Sequence, residues 1–443
     1  MALLSKSRSG VEEVSPLTLK LLKGWKHIWT SENRWGIGVR EIFAALGPGF
    51  LVSVGYMDPG NWGTNLAAGA GYGYTLLWVI LASNLIAIFL QISAAKLGIA
   101  TGKDLAQLIR EHFPRPFANA FGATAIIAIM ATDLAEILGG ALGFNILFGI
   151  PLFPAAILTG MIVMGLLALS RWGFRKLEYV IIGFVSIIGL AYVYETTLIR
   201  PDWGQIALHT VVPQFSAGSI LVAVGILGAT VMPHNVFLHS FLAPLRLSSP
   251  EATLLERKKV FRLAKIDTIA ALNVAFFVNA AMLVVAGAIF YKHVDPATLD
   301  LQTASATLTP ILGGLASLAF GIGLLASGLS SSTTGTIAGQ IVLRGFLNMK
   351  VKMWIWRIIT LLPALLVTSP LFHISSVEIL VISQVILSLQ LPFTMGALVI
   401  LTSRKKIMGA FVNSRLTQAF NILLVVLVTA LNVWLLYSYL PIA

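Results

Sequence analysis

Eleven apolar stretches, most of them at least as long as the ~20 residues a helix needs to cross a bilayer, dictate what this chain can fold into. They run at roughly 43–68, 75–95, 118–148, 152–170, 178–198, 217–242, 266–290, 304–340, 353–371, 376–401 and 417–439 of 443 residues. Hydrocarbon offers no water to a free N–H or C=O, so a spanning segment must satisfy its own backbone, as a helix does. Charged residues make up only 11% of the chain, against about 25% in a soluble domain, and the mean hydropathy is +0.88. The expected fold class is therefore an all-α polytopic membrane protein. There is no cysteine, which excludes a disulfide framework and any Cys-based zinc or iron–sulfur site.

The formal charge of +12 would suggest nucleic acid in a soluble protein, but its distribution says otherwise. Of the 30 Lys and Arg residues, 28 fall in the N-terminal tail or in the loops after the even-numbered spans, and only Arg200 and Lys292 lie on the other side. Positive charge collects on the cytoplasmic face. The expectation is a multi-pass protein of a bacterial cytoplasmic membrane, N-terminus inside and C-terminus outside, with anionic lipid headgroups as neighbours and no nucleic-acid partner. The first 41 residues are polar and basic, without the short apolar core of a cleavable signal. Three regions follow: a cytoplasmic segment over 1–42, a membrane core over 43–400, and a loop with an eleventh helix over 401–443.

Within the first span stands Asp58-Pro59-Gly60-Asn61, and within the sixth Met232-Pro233-His234-Asn235. Both read x-Pro-x-Asn at mid-span, five spans apart. An odd offset gives the two copies opposite orientations, the plan of an inverted repeat, here 43–198 against 217–400. Proline removes a backbone donor and glycine leaves helical geometry easily, so each motif interrupts its helix. The carbonyls freed there must face protein or a wet cavity, and paired interrupted spans point to a substrate site near the midplane. One such kink is commonly mere packing; two in register, each with polar side chains, predict a site.

Asp58 is an acid at bilayer depth, which costs at least ~2.5 kcal/mol and is offset by a cation. Asn61 lies one turn on and can face the same cavity. Met232 adds a thioether. One carboxylate, one amide oxygen, one sulfur and freed carbonyls form a mixed set. Mg²⁺ and Ca²⁺ take oxygen only, whereas sulfur favours softer transition metals; the mixed set suits Mn²⁺ and Fe²⁺ and also admits Co²⁺ and Cd²⁺. A magnesium carrier, or an amino-acid or organic-cation symporter on the same architecture, are the alternatives. An enzyme is not expected: no H-E-x-x-H and no G-x-x-x-x-G-K-[ST] occurs.

The pair DPGN and MPH, with GYGYTLLWVILASNL, MATDLAEILGGALG, LLASGLSSS and ISQVIL, resembles the Nramp family of divalent metal transporters over about residues 43–440. The resemblance implies a LeuT-type fold of two inverted five-helix repeats and proton-coupled import of Mn²⁺ or Fe²⁺, with no resident cofactor. It implies Asp58, Asn61 and Met232 as metal ligands, joined by the carbonyls of Ala229 and Gly55. Gly55 stands where the family more often has Ala. Gln384, in ISQVIL, corresponds to a span-10 glutamine that approaches the metal. Many members have twelve spans; this chain has eleven, and a functional monomer is expected.

Asp133 and Glu136 are three apart in the third span, hence on one helix face. Intramembrane carboxylates mark proton routes, and Arg357 near the start of span 9 is a candidate ion-pair partner. Asp58 is itself a candidate proton acceptor. His234 suits either a proton carrier or a hydrogen bond at the break. The hydroxyl run Ser330 to Thr336 and Gly139, Gly140 and Gly143 read as close-packing positions. Asn84, Gln91, Asn279 and Gln390 read as interhelical hydrogen bonds, Asp267 as solvated or gate-forming, and 243–265 as a cytoplasmic surface helix.

Overall fold

The computed structural model describes residues 47–438 apart from 170–173, 297, 350 and 372–373. The expected cytoplasmic segment 1–42 lies outside the described residues. The described chain is helical throughout, with no strand. Eight helical stretches, the divided span 6 counted as one, are long and apolar enough to cross a membrane, and three shorter apolar ones occupy the places of spans 1, 4 and 9.

Span 1 is two pieces. Helix α1 (Pro48–Ser53) runs into a 3₁₀ turn over Val54–Met57, and α2 (Pro59–Tyr72) follows. Asp58 is extended (φ −67°, ψ 165°) and caps α2 by accepting from the Asn61 N–H, with Pro59 at the first helical position. An Asp cap followed by Pro is the ordinary chemistry of a helix start, placed here in mid-membrane. Spans 2 to 5 are α3 (Leu77–Thr101), α5 (Arg115–Phe148), α6 (Leu152–Leu169) and α7 (Phe174–Ile199). A short α4 (Leu105–His112), with an Asp104–Gln107 capping box, joins α3 to α5. After α8 (Trp203–Val211), span 6 again divides, into α9 (Ile220–Val231) and α10 (Pro233–Leu242). Between them Met232 takes φ 43°, ψ 97°. A bulky residue at positive φ is rare and strained, and marks the break.

Spans 7 to 11 are α11 (Leu254–Phe290), α13 (Gly314–Leu347), α14 (Met353–Thr368), α15 (Ser376–Thr402) and α17 (Arg415–Ser438), with α12 (Leu301–Leu312) before α13 and α16 (Lys405–Met408) before α17. Two expectations on boundaries change. Span 8 does not begin at 304: Leu301–Leu312 is a separate helix, ended by Gly313 at φ 91°. The 243–265 segment is not an independent surface helix. A 3₁₀ turn over Ala243–Arg246 follows α10, and Leu254 already starts the 37-residue α11. Thr253 caps that helix, so the basic run Arg257 to Arg262 extends span 7 beyond the bilayer.

Long helices α5 and α13 pack along most of their length. Glycine makes this close: a Cβ on Gly328 would lie 2.4 Å from the Gly140 nitrogen, and one on Gly143 2.7 Å from Leu325 Cβ. Both broken spans pack against α13 and α15 and directly against each other, so the two breaks face each other inside the bundle.

Candidate functional site

Each break frees backbone carbonyls, and their partners can be followed one by one. The Tyr56 carbonyl accepts from Asn279 Nδ2 (2.5 Å) and the Met57 carbonyl from Ser327 Oγ (2.5 Å). The Gly55 carbonyl in span 1 accepts from the Asp58 N–H at 3.2 Å, and the Ala229 carbonyl lies at the end of α9 in span 6. Both also accept from Asn61 Nδ2, at 3.4 and 3.0 Å. The same nitrogen donates to Asp58 Oδ1 at 2.7 Å, and the Asn61 backbone N–H donates to that oxygen at 2.8 Å. Asp58 Oδ2 is buried with no hydrogen-bond partner. One amide group thus sits inside a ring of three oxygens supplied by both breaks.

Met232 lies beside this ring. Its sulfur accepts from Asn235 Nδ2 at 3.3 Å, and Asn235 also donates to the Val52 carbonyl at 3.3 Å. A Cβ built on Gly55 would stand 2.8 Å from the sulfur and 2.2 Å from Asn235 Nδ2. Glycine at 55 therefore lets the sulfur and the Asn235 amide close on the span-1 backbone. Gln384 crosses over Gly60, whose Cβ would meet Gln384 Nε2 at 1.8 Å. Its Oε1 has no partner. The structure thus brings Asp58, Asn61, Ala229, Gly55 and Met232 together, and lays Gln384 against the next residue of the motif. Asp58 and Met232 are 0% exposed and Asn61 1%, so the site is closed to both sides.

No group of three or more His, Asp or Glu with metal-holding geometry occurs among the described residues. A cation here would be held by a mixed set of one carboxylate, carbonyls, an amide and a thioether. The carbonyl ends of α9 and of the 3₁₀ turn add partial negative charge, which favours a cation.

On the α5 side, Arg357 Nη1 donates to Asp133 Oδ1 at 2.8 Å, a buried ion pair. Arg357 Nη2 donates to Ser332 Oγ (2.6 Å) and Nη1 to Thr336 Oγ1 (3.3 Å). Glu136 lies in electrostatic range of Asp133, Asp58 and Arg357. His234 Nδ1 is 3.4 Å from Thr132 Oγ1 and within reach of the Asp133 charge. The proton-path candidates therefore form one buried group reaching from Asp58 to the start of α14.

Other expectations divide. Gln91 bridges Tyr56 and His239, and Asn279 bridges Asn65 and the span-1 break, both between helices. Asn84 Nδ2, in contrast, has no partner, and Gln390 accepts from Thr394 one turn away on its own helix. Most hydroxyls of the 330–336 run bond their own helix, but Ser332 and Thr336 hold Arg357. Asp267 is not solvated: it is 1% exposed and pairs with Arg246 at 3.0 Å. Asn235 and Ser327 carry parts that the sequence reading did not give them; the repeated x-Pro-x-Asn was the available signal for Asn235.

The family described as natural resistance-associated macrophage protein-like, Nramp, matches residues 49–438. The chain belongs to the Nramp family. A relative named divalent metal cation transporter MntH, from Deinococcus radiodurans, is 45% identical over 404 residues, 91% of this chain and 92% of its own length. A crystal structure of the Eremococcus coleocola manganese transporter, a mutant form, superposes with a TM-score of 0.81 at 34% identity, covering 92% of this chain and 90% of that one. MHP1, a nucleobase-cation-symport-1 family transporter, shares the fold at a TM-score of 0.55 and 16% identity, over 80% of this chain and 77% of that one. The fold is thus the LeuT-type inverted repeat of this Nramp protein.

Proposed function

We propose that this Nramp protein imports divalent transition metal ions, Mn²⁺ and Fe²⁺ with Co²⁺ and Cd²⁺ also admitted, by alternating access coupled to protons. The observation that carries the reading is the position of the Asn61 amide, hydrogen-bonded to Asp58 Oδ1, the Ala229 carbonyl and the Gly55 carbonyl. A cluster of acceptors around one donor is also a cluster of ligands around one cation. When the substrate ion takes the donor's place, Asn61 turns its Oδ1 inward and joins the set. The Met232 sulfur beside the ring favours transition metals over Mg²⁺ and Ca²⁺.

Arrival of a dication at Asp58 makes a proton there unfavourable, and Glu136, Asp133, His234 and Arg357 offer it a buried route away. Every group of this machinery comes from one chain, so a monomer suffices. The test is Mn²⁺ uptake into proteoliposomes carrying an internal pH dye. Uptake with lumenal acidification, lost in Asp58→Ala and not competed by excess Mg²⁺, is the expected result. No Mn²⁺ uptake by folded, inserted protein would overturn the substrate; uptake without acidification would overturn the coupling.

A further inference from the structure

Six carboxyl side chains are buried among the described residues: Asp58, Asp104, Asp133, Glu136, Glu195 and Asp267. Four have hydrogen-bond partners: Asp58 is bonded by Asn61, Asp104 by Gln107, Asp133 by Arg357 and Asp267 by Arg246. Glu136 lies in electrostatic range of Asp133, Asp58 and Arg357. Glu195 is 0% exposed and neither of its oxygens has a hydrogen-bond partner.

Its place in the fold is specific. Glu195 lies one turn before the end of α7, about 6 Å below that end at the helical rise. The end leads to Arg200, one of the two basic residues on the face opposite the positive loops. Tyr192 precedes Glu195 by three residues, on the same helix face, and interacts with it electrostatically. The Tyr192 ring meets Trp62 edge-on at 5.0 Å, and Trp62 meets Phe320 at 5.0 Å. A cavity of about 20 Å³ lies among Trp62, Leu66, Tyr192, Phe290, Leu301 and Phe320, room for about one water. Glu195 thus neighbours Tyr192, which lines this cavity together with Trp62, the residue that follows Asn61 on α2.

Among the described residues, no cation faces Glu195. The segments packed against α7 are α6, α1 with its 3₁₀ turn, α11, α12 and α13. Residues 48–57, 152–168, 268–290 and 301–343 contain no Asp, Glu, Lys, Arg or His. Their one titratable side chain is Tyr56, which is bonded to Gln91 on α3, so the group that faces Glu195 is Tyr192. An ionised carboxylate here, without partner or water, would cost several kcal/mol; a neutral acid costs far less.

We propose that Glu195 is the external proton acceptor of the transport cycle. With the outer cavity open, its carboxylate takes a proton from a hydronium ion: an O–H bond forms on Glu195, one breaks on the hydronium, and water leaves. With the cavity closed over Trp62 and Tyr192, Glu195 holds that proton as a neutral acid. The groups assigned to proton release lie on the cytoplasmic side of Asp58, and Glu195 supplies the outer half of the route. This inference rests on the proton-coupled reading.

The test is the same liposome assay run over a series of external pH values on wild type, Glu195→Gln and Glu195→Asp. Glutamine keeps the size of the neutral acid but carries no transferable proton. Glu195→Gln is expected to move Mn²⁺ with its dependence on external pH lost and with fewer protons delivered per Mn²⁺. Glu195→Asp, which folds with the carboxyl drawn back by one methylene, is expected to keep coupling with a displaced pH midpoint. A wild-type pH profile and proton yield in both variants would overturn the role of Glu195 alone. Absence of acidification in the wild type would overturn the coupled reading and this inference with it.

Discussion

Asn61 has one end that donates and one that accepts, and the ring around it wants a donor or a cation but not both. On the proposed function its rotation would be the smallest element of a transport switch, available because the three acceptors are fixed by backbone and by an Asp at a helix cap. On the same proposal, Met232 would select what replaces the donor. Met232→Ala removes the thioether and leaves Asn235 with the Val52 carbonyl as its remaining acceptor. Mn²⁺ uptake should persist while Ca²⁺ becomes a competitor, with the ratio of Ca²⁺ to Mn²⁺ inhibition constants falling about tenfold or more, or ~1.4 kcal/mol of discrimination. Uptake competed by graded Ca²⁺ reads this directly; equal exclusion of Ca²⁺ in variant and wild type would remove sulfur as the selector. Asp58, Asn61 and Met232 were legible in the sequence because an acid, an amide and a thioether at two matching breaks have few other uses. Which carbonyls remain free was not legible from local residues. Tyr56 and Met57 lose theirs to Asn279 and Ser327, more than 200 residues away, and no local pattern encodes that.

Among the elements, α1 is the one held least by its own length. It has six residues, too few for an isolated helix to persist, so its position depends on what grips it. Asp267 of α11 does so: its two oxygens accept from the N–H groups of Gly49 (2.8 Å) and Gly47 (3.3 Å), and Arg246 after α10 donates to it at 3.0 Å. Glycine at 49 allows this approach, since a Cβ there would lie 2.8 Å from the Asp267 carboxyl carbon. One carboxylate thus ties the start of span 1 to the ends of spans 6 and 7 on the face with the positive loops. On the alternating-access proposal, opening toward that face would take α1 off Asp267. Breaking a buried pair from one side costs about 3–5 kcal/mol, so Asp267→Asn should shift the protein toward the open form. The absence of native cysteine makes this measurable: Ser53→Cys, buried on α1, should react with a maleimide about tenfold faster or more in the Asp267→Asn background. An unchanged rate would show that α1 is held by other contacts. The sequence left Asp267 between solvated and gate-forming, because it lies near a span end and burial there is decided by Arg246 and the α1 backbone. The α12–α13 boundary was hidden for a similar reason: Gly313-Gly314 lies in a run apolar enough to read as one span.

At the scale of the whole molecule, the meaning of every gate depends on which face is which. The inverted repeat was readable from two motifs and a parity argument, and the fold agrees, because both breaks meet inside the bundle. Orientation rests on charge alone: 28 of 30 basic residues on one side, Arg200 and Lys292 on the other. With so large an asymmetry the basic side should face the cytoplasm. Lys292 and Lys405 are both exposed and sit on opposite faces, the first after α11 and the second on α16. In intact cells, Lys292→Cys should be labelled by a membrane-impermeant maleimide, and Lys405→Cys only after permeabilisation. The reverse result would place Asp267 and α1 at the outer gate and Glu195 at the cytoplasmic one. The expected result fixes the order of the proposed path: Glu195 and the Trp62 cluster would meet external protons and metal first, the ring around Asn61 would hold the ion at the midplane, and release of α1 from Asp267 would open the way inward.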